Sequence, residues 1–420
     1  MRRRSFLQLS AGCAGATLAR AVRARTATAR AGAKVVIVGG GFAGASCALT
    51  LRQLDPGLHV TLVDPDERYV TCPMSNSALV GLRDLKSLYV SRRGRADGGV
   101  RYVQSQVTAI DTERRRAQLA GGGVLGFDRL VLAPGIRFLW NKPQGYDAAA
   151  SRSMPHAWQA GAQTEILAAQ LSAMRDGGVV AISVPTGPMR CPPGPFERAG
   201  LIAGYLKQNK PRSKVLIFDG NNAFPKQDAF NDAWHALYPG MIEWIPVVAD
   251  GAVVRVDPAA KILFTANAQH RVDVANIIPP QAPGLLAQQT GLASDHGWCP
   301  VKAESFESSL IAGVHVIGDA CIADPMPKAA SAANAQARQC ARAIVAALDG
   351  REAPAAEYSS VCYSMLARGR ALSIHGEYRV ADGVIRQMSA AQDAPPVTAE
   401  QEARNAEEWY RRIVRDSFGA

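Results

Sequence analysis

Residues Val35–Gly44, with the sequence VVIVGGGFAG, give the clearest indication of the fold. It joins a β-branched apolar run to closely spaced glycines. A helical run is predicted next over residues 45–54, and a second apolar strand over residues 59–63 leads into Asp64. A strand, a glycine turn, a helix, a strand and an acid in this order predict the βαβ unit that binds a dinucleotide.

Three glycines of this turn have separate roles in such a unit. Gly39 permits the tight turn, Gly41 lets the backbone approach a pyrophosphate, and Gly44 lets the helix pack against the strand. The pyrophosphate would lie at the helix N-terminus, where free N–H groups and the helix dipole favour an anion. Asp64 would accept a hydrogen bond from the adenosine ribose.

Composition places the chain among globular proteins of two to three domains. It has 420 residues, of which 48% are apolar and 20% charged, and its mean hydropathy is near zero. This excludes a disordered acidic protein and a coiled coil. Beyond the extreme N-terminus no run approaches the roughly 20 apolar residues of a membrane span, so we expect no integral membrane segment.

The formal charge of +11 is concentrated at the N-terminus. Without the seven arginines of the first thirty residues, 40 basic side chains remain against 36 acidic ones. They are interspersed, and no nucleic-acid-binding motif accompanies them, so we expect no nucleic-acid partner.

Residues 1–30 are typical of an export signal. Arg3 and Arg4 open a twin-arginine pattern, a short apolar run follows, and small residues near Ala29 offer a cleavage site. A mitochondrial-type transit peptide is the alternative, because the segment is rich in arginine and lacks acids. The twin-arginine route predicts a periplasmic protein in an oxidising compartment, where disulfides persist.

A second strand–turn–helix–strand unit is predicted from Val179 to Asp219. Its turn, Pro185–Pro195, has the sequence PTGPMRCPPGP. Each proline lacks an N–H group, and its ring crowds a ligand that needs close backbone approach. We therefore expect a nucleotide-binding-type sheet without a working phosphate loop.

The fold prediction is α/β, with two Rossmann-like domains and a smaller α+β C-terminal domain. A strand over 313–317 leads into Asp319, a helix is expected over 330–348, and a hairpin over 373–388 precedes a charged helix over 399–415. The predicted boundaries are 1–30 for the signal, 31–150 and 271–350 for the FAD-binding domain, 151–270 for the NAD-like domain and 351–420 for the last.

Seven cysteines remain once the signal is removed, and three of them occupy distinctive positions. Cys72 lies eight residues beyond Asp64; an extended loop of that length reaches at most about 26 Å, enough to run from the adenosine end of a dinucleotide toward its other end. Cys191 lies in the proline-rich turn at the carboxyl end of a strand, where a substrate site is expected. Cys362 belongs to the C-terminal region.

At these residues the chain resembles the flavoprotein subunit of flavocytochrome c sulfide dehydrogenase, over nearly all of residues 34–420. The resemblance implies a thioether from Cys72 to the 8α-methyl group of FAD. It also implies a redox-active disulfide between Cys191 and Cys362, a ribityl contact from Asp319, and a c-type cytochrome partner. No haem-attachment motif occurs here, so any haem belongs to the partner chain.

Other interpretations of these cysteines stay open. Cys72 could be a small buried apolar residue, and a Cys191–Cys362 bridge could be a structural staple. The remaining cysteines are interpreted as structural: Cys47, Cys299, Cys321 and Cys340, with a Cys321–Cys340 pair possible. The histidines show no metal spacing, and no metal is expected.

Two charged residues are candidates for supporting roles. Glu197, at a helix start six residues after Cys191, is a candidate acid/base for the sulfur protons; it could equally stabilise the helix N-terminus. Lys328 could place positive charge beside the N1–C2=O edge of a reduced flavin, or be a solvated loop lysine.

The predicted reaction oxidises sulfide to sulfur or polysulfide and reduces a c-type cytochrome. Hydrosulfide would attack one sulfur of the disulfide and leave a persulfide and a thiolate. A sulfide:quinone oxidoreductase is the alternative enzyme, although residues 400–415 are too charged for a membrane-dipping end. A third hypothesis is a flavoprotein accessory subunit without sulfide turnover, which acts on a sulfur-carrier partner.

Overall fold

A computed structural model describes residues 32–92, 98–388 and 397–419 of the chain. The predicted export signal, residues 1–30, lies outside the described residues. The helices are α1 (Phe42–Leu54), α2 (Ser75–Leu79), α3 (Ala162–Ala173), α4 (Gly194–Asn209), α5 (Gln227–Leu237), α6 (Leu285–Gln289), α7 (Ala330–Leu348) and α8 (Ala399–Phe418).

The strands are short and numerous, as in a mixed α/β protein. They are β1 (Lys34–Val38), β2 (His59–Asp64), β3 (Arg68–Val70), β4 (Tyr89–Ser91), β5 (Arg101–Gln104), β6 (Val107–Asp111), β7 (Arg116–Leu119), β8 (Val124–Gly126), β9 (Arg129–Leu132), β10 (Ile136–Phe138), β11 (Val179–Val184), β12 (Lys214–Asp219), β13 (Ile242–Ile245), β14 (Arg255–Asp257), β15 (Ile262–Phe264), β16 (Gln269–Arg271), β17 (Val274–Ile277), β18 (Gln281–Pro283), β19 (Cys299–Pro300), β20 (Val314–Val316), β21 (Cys321–Ile322), β22 (Glu357–Ala367), β23 (Arg370–Ala381) and β24 (Val384–Gln387). The α/β class predicted from the sequence is confirmed, and the domain boundaries stay predictions.

The first sheet is parallel, with the order β20–β9–β1–β2–β5. Its central strand is apolar because helices cover the sheet: four of the five side chains of β1 are buried. The helix α1 is buried along most of its length and packs against α7. This arrangement brings the glycine turn, which follows β1, to the carboxyl edge of the sheet, where such folds bind ligands.

The second sheet is also parallel, with the order β13–β12–β11–β17. Its strand β11 leads into the proline-rich turn and then into α4. The predicted helix began at Glu197, whereas α4 begins at Gly194. Pro195 sits in the first turn of α4, where an N–H group has no partner within the helix and its loss costs nothing.

The C-terminal region is a three-stranded antiparallel sheet, β22–β23–β24, against which α8 packs. The predicted hairpin over 373–388 corresponds to parts of β23 and β24, and the long strand β22, which carries Cys362, was not predicted. The apolar face of α8 is buried on α1 and β23 and includes Trp409, Tyr410 and Ile413.

Candidate functional site

The glycine turn after β1 has the shape that a dinucleotide needs. Gly39 has φ +100°, and a Cβ there would lie 2.2 Å from the carbonyl oxygen of Ala133. A Cβ on Gly44 would lie 1.8 Å from the carbonyl oxygen of Gly39, whereas one on Gly41 would meet nothing closer than 3.9 Å. Two glycines are therefore required by the fold, and the third leaves open space above α1 that fits a pyrophosphate.

Asp64 ends β2 beside this turn, and its carboxylate is held from two sides. One oxygen accepts a hydrogen bond of 2.6 Å from the N–H group of Gly40, and the other lies 3.0 Å from the guanidinium of Arg92. Arg92 also donates to the carbonyl of Gly40. Sequence reasoning missed Arg92, because nothing in the residues around it marks a partner of the acid at the end of β2.

Cys72 lies in the turn between β3 and α2. Its carbonyl accepts a hydrogen bond of 3.1 Å from Ser75, and Met74 between them has the left-handed φ of 65°. The preceding residue, Thr71, is buried and bonds to the hydroxyl of Tyr410 on α8 at 2.7 Å. The loop that carries Cys72 is thus held by its own turn and by the C-terminal helix.

Cys191 occupies a strained position just before α4. It has the left-handed φ of 55°, and its N–H group donates to the carbonyl of Lys328 at 2.8 Å. A Cβ on Gly194 would lie 3.0 Å from the Cys191 sulfur. Non-glycine residues in this conformation persist where the surroundings fix them, and they are frequent at functional sites. A Cβ at position 194 would crowd both this thiol and the ring of Trp158, which would lie 2.8 Å away.

Cys362 comes to the same place from β22. Its sulfur lies 3.8 Å from the hydroxyl of Ser331, in the first turn of α7. Burial raises the pKa of Cys362 to about 11, and the hydrogen bond from Ser331 opposes the rise. Burial also raises the pKa of Cys191, and the nearby charge of Cys362 adds to that rise. The fold therefore brings these two cysteines, 171 positions apart, within electrostatic reach of each other and of Cys72.

Both cysteines are thiols in the structure, as are the other five of the described residues. The Cys191–Cys362 disulfide implied by the resemblance stays a prediction. The possible Cys321–Cys340 pair is not formed. The thiol of Cys340 interacts with Cys47, which joins α7 to α1, while Cys321 contacts the carbonyl of Gly318 at 3.2 Å.

Glu197 is buried in the first turn of α4, with both carboxyl oxygens in hydrogen bonds. One accepts from the N–H group of Met365 on β22 at 2.9 Å, and the other from the side-chain amide of Asn76 on α2 at 2.8 Å. Burial raises the pKa of Glu197, although both hydrogen bonds and the charge of Arg198 oppose the rise. The carboxyl group thus ties the helix after Cys191 to the strand of Cys362 and to the helix after Cys72.

Lys328 lies next to Cys191, whose N–H group donates to its carbonyl, and Asp319 is within reach of its charge. Burial raises the pKa of Asp319, and the charges of Arg190 and Lys328 oppose that rise. The ammonium of Lys328 donates to the carbonyls of Asp319 and Cys321, each at 2.9 Å, and lies over the ring of Trp298. These bonds exclude the interpretation of Lys328 as a freely solvated loop lysine.

In a nucleotide-binding unit, an acid at the end of the second strand contacts the ribose. In the second sheet, the acid at this position is already occupied by other hydrogen bonds. Asp219, at the end of β12, is fully buried and accepts hydrogen bonds from the indole of Trp244 and from Asn221. A cavity of about 350 Å³ lies at the carboxyl ends of β11 and β12, and Thr186 and Pro185 line it. Within residues 32–92, 98–388 and 397–419, no cluster of three or more His, Cys, Asp or Glu side chains suits a metal ion.

Comparisons with known proteins agree with this arrangement. Residues 33–157 match the pyridine nucleotide-disulphide oxidoreductase family. Residues 164–279 match the central part of the sulfide dehydrogenase [flavocytochrome c] flavoprotein chain, and residues 354–418 match the flavin-binding part of flavocytochrome c sulphide dehydrogenase. A sulfide dehydrogenase [flavocytochrome c] flavoprotein chain from Chlorobaculum thiosulfatiphilum is 61% identical over 44 residues, which are 10% of this chain and 92% of that one. The chain belongs to the flavocytochrome c sulfide dehydrogenase flavoprotein family.

More distant similarity extends over most of the chain. The mitochondrial sulfide:quinone oxidoreductase of Mus musculus is 20% identical over 326 residues, which are 74% of this chain and 70% of that one. The structure of a sulfide:quinone oxidoreductase from Aquifex aeolicus superposes with a TM-score of 0.72 at 16% identity and covers 92% of both chains. At this identity the likeness shows a shared fold. None of the helices in the described part of this flavoprotein is long and apolar enough to cross a membrane.

Proposed function

We propose that this chain oxidises sulfide through the Cys191–Cys362 pair and a flavin held by Cys72, and that it passes the electrons to a c-type cytochrome. One observation carries the proposal: Cys72, Cys191 and Cys362 come from three separate segments, yet the charges of Cys72 and Cys362 both act on Cys191 and raise its pKa. Membership of the flavocytochrome c sulfide dehydrogenase family supports the same reaction. We also propose that the chain folds as two Rossmann-like domains and a smaller C-terminal domain.

FAD is the cofactor that the residues around the glycine turn would hold. The glycine turn and Asp64 would hold its adenosine diphosphate part, Cys72 would form the thioether to its 8α-methyl group, and Asp319 would contact its ribityl chain. When bound, the flavin would accept two electrons at once and release them singly to the haem of the partner. We propose the periplasm as the site of this reaction, because residues 1–30 are typical of an export signal.

The chemistry of the oxidised pair begins with attack by hydrosulfide on one sulfur. A new S–S bond forms, the Cys191–Cys362 bond breaks, and the leaving sulfur departs as a thiolate. Cys362 suits the leaving role, because the hydroxyl of Ser331 lies 3.8 Å from its sulfur and can donate to the thiolate. Sulfide would therefore add to Cys191.

To form the disulfide again, the two cysteines must lose two electrons. The Cys362 thiolate and the ionised Cys191 persulfide together give the disulfide, one sulfur atom in the zero oxidation state and two electrons. The overall reaction converts one hydrosulfide ion to sulfur, one proton and two electrons, and two haem irons each take one electron. Glu197 is the carboxyl group beside both sulfurs that can hold the proton.

A quinone is the alternative electron acceptor. An enzyme that reduces a quinone needs an apolar surface that reaches into a membrane. The C-terminal helix α8 has such a face, but Trp409, Tyr410 and Ile413 on it are buried against the rest of the protein. A cytochrome acceptor needs no such surface. The third hypothesis, an accessory subunit without sulfide turnover, gives Cys72, Cys191 and Cys362 no reaction to explain why they lie near one another.

Two substitutions test the proposal. Acid precipitation should leave flavin in the pellet of the wild type, and Cys72→Ser should release it; free flavin from the wild type would contradict the thioether. Cys191→Ser should keep the flavin absorbance but lose its bleaching by sulfide. Bleaching at the wild-type rate would remove the pair from the reaction, and Cys299→Ser, at a buried cysteine of another sheet, is the control.

A further inference from the structure

A chain of buried polar side chains leads away from Glu197, and neither the sequence motifs nor the family comparison assigns it a role. The side-chain amide of Asn76 donates to Glu197 at 2.8 Å and to the carbonyl of Gly194 at 3.2 Å. Its oxygen accepts a hydrogen bond of 2.9 Å from Nε of Arg198. The exposures of Asn76, Glu197 and Arg198 are only 7%, 9% and 3%.

Arg198 is held in place by two backbone carbonyls and two side chains. Its guanidinium donates to Oδ1 of Asn276 at 2.8 Å and to the carbonyls of His156 and Ala157, and it lies over the ring of Trp158. None of the ion pairs among the described residues includes Arg198. Glu197 is thus its nearby counter-charge, and the Asn76 amide separates the two.

The amide of Asn76 has a fixed orientation because its neighbours differ. An arginine Nε can only donate, so it requires the oxygen of Asn76, and the NH₂ group must then face Glu197. A carboxylate accepts that bond, whereas a protonated carboxyl group has an O–H that needs an acceptor. Without Arg198, only the longer bond to the carbonyl of Gly194, at 3.2 Å, still favours this orientation, and an amide that turns presents its oxygen to Glu197 and favours the protonated acid.

We propose that Arg198, acting through Asn76, is a positioning residue that holds the Glu197 carboxyl group in place and ionised for proton exchange with Cys191 and Cys362. The inference rests on the proposed function of the cysteine pair. The groups that face Glu197 are Arg198 on its own helix, Asn76 on α2, Cys191 in the preceding turn, and Cys362 and the Met365 N–H group on β22. Of these, Arg198 alone carries a positive charge at neutral pH, although burial lowers its pKa to about 10.

The test is the pH profile of Arg198→Gln, compared with that of the wild type. Loss of the positive charge raises the pKa of Glu197, so the acid limb of sulfide-dependent flavin bleaching should move up by about one pH unit. Arg198→Lys restores a charge without the planar geometry and should recover part of the shift. Arg212→Gln, at an arginine whose side chain is 78% exposed, is the matched control and should not move the profile.

A second readout does not depend on turnover. In the reduced protein, the pH dependence of alkylation of Cys191 and Cys362 by iodoacetamide should shift with Arg198→Gln in the same direction. If that variant fails to fold, Asn76→Ala removes the link and should give the same shift. Identical profiles in a variant that folds would overturn the inference.

The same measurements distinguish an error in the role of Arg198 from an error in the proposed function. If sulfide does not bleach the wild-type flavin at any pH, the proposed function fails. If it does, and neither Arg198→Gln nor Asn76→Ala moves the bleaching or alkylation profile, the role of Arg198 alone fails.

Discussion

Replacement of Glu197 by glutamine tests whether the buried hydrogen bonds around the site are as the structure describes. Both neighbours of the carboxyl group donate: the N–H group of Met365 at 2.9 Å and the amide of Asn76 at 2.8 Å. A glutamine has one oxygen and one NH₂ group, so one buried donor would face another donor. Asn76 cannot relieve this by rotation, because Arg198 donates to its oxygen.

The expected cost follows from the group that loses its partner. A buried donor without an acceptor costs about 1–3 kcal/mol. Removal of a buried carboxylate acts in the other direction, since burial raises the pKa of Glu197. We therefore expect Glu197→Gln to lower the free energy of unfolding by about 1–2 kcal/mol, toward the lower end of that range.

Urea unfolding at neutral pH measures this difference, with Glu352→Gln at an exposed glutamate as the control. The sign of the pH dependence is also fixed. A carboxyl group whose folded-state pKa is raised binds protons more readily when folded, so lower pH stabilises the wild type relative to Glu197→Gln. Equal unfolding free energies for the two proteins would refute the hydrogen-bond arrangement.

Four other substitutions give three separate tests. Gly44→Ala places a Cβ 1.8 Å from a backbone oxygen and should lower the melting temperature. Gly41→Ala, whose Cβ would meet nothing closer than 3.9 Å, should lower only the flavin content. An equal fall in melting temperature for both variants would contradict the separate roles of the two glycines. Tyr410→Phe removes the buried 2.7 Å bond to Thr71 and should cost about 1 kcal/mol in urea unfolding and slow flavin attachment. Burial lowers the pKa of His315 to about 4. The wild type should therefore lose about 3 kcal/mol of unfolding free energy as the pH falls from about 6.5 to 4. His315→Leu should lack this loss, and the same acid dependence in both proteins would contradict the prediction.

Local sequence signals predicted the first βαβ unit well. The strand before Gly39 and the strand that ends at Asp64 lie within one residue of their predicted positions. The helix begins at Phe42 rather than at residue 45, because Gly41 with its extended backbone is the residue that precedes the first turn. Such features depend on neighbours along the chain, which a sequence displays directly.

The environment of the reactive cysteines depends on distant contacts. Asn76 and Arg198 are 122 positions apart, and Met365 is 168 positions from Glu197. Neither Asn76 nor Arg198 belongs to a motif with a spacing that predicts the other. Only the packing of α2, α4 and β22 brings them together, so the sequence identified Glu197 as a candidate but not the groups that control its charge.

The most direct test of the account is a search for a persulfide. Oxidised protein would be mixed anaerobically with one equivalent of sulfide, alkylated at once, digested and examined by mass spectrometry. We predict one added sulfur atom on the peptide that contains Cys191 and an alkylated thiol at Cys362. Flavin bleaching with no added sulfur on either cysteine would show that sulfide does not react with the Cys191–Cys362 pair.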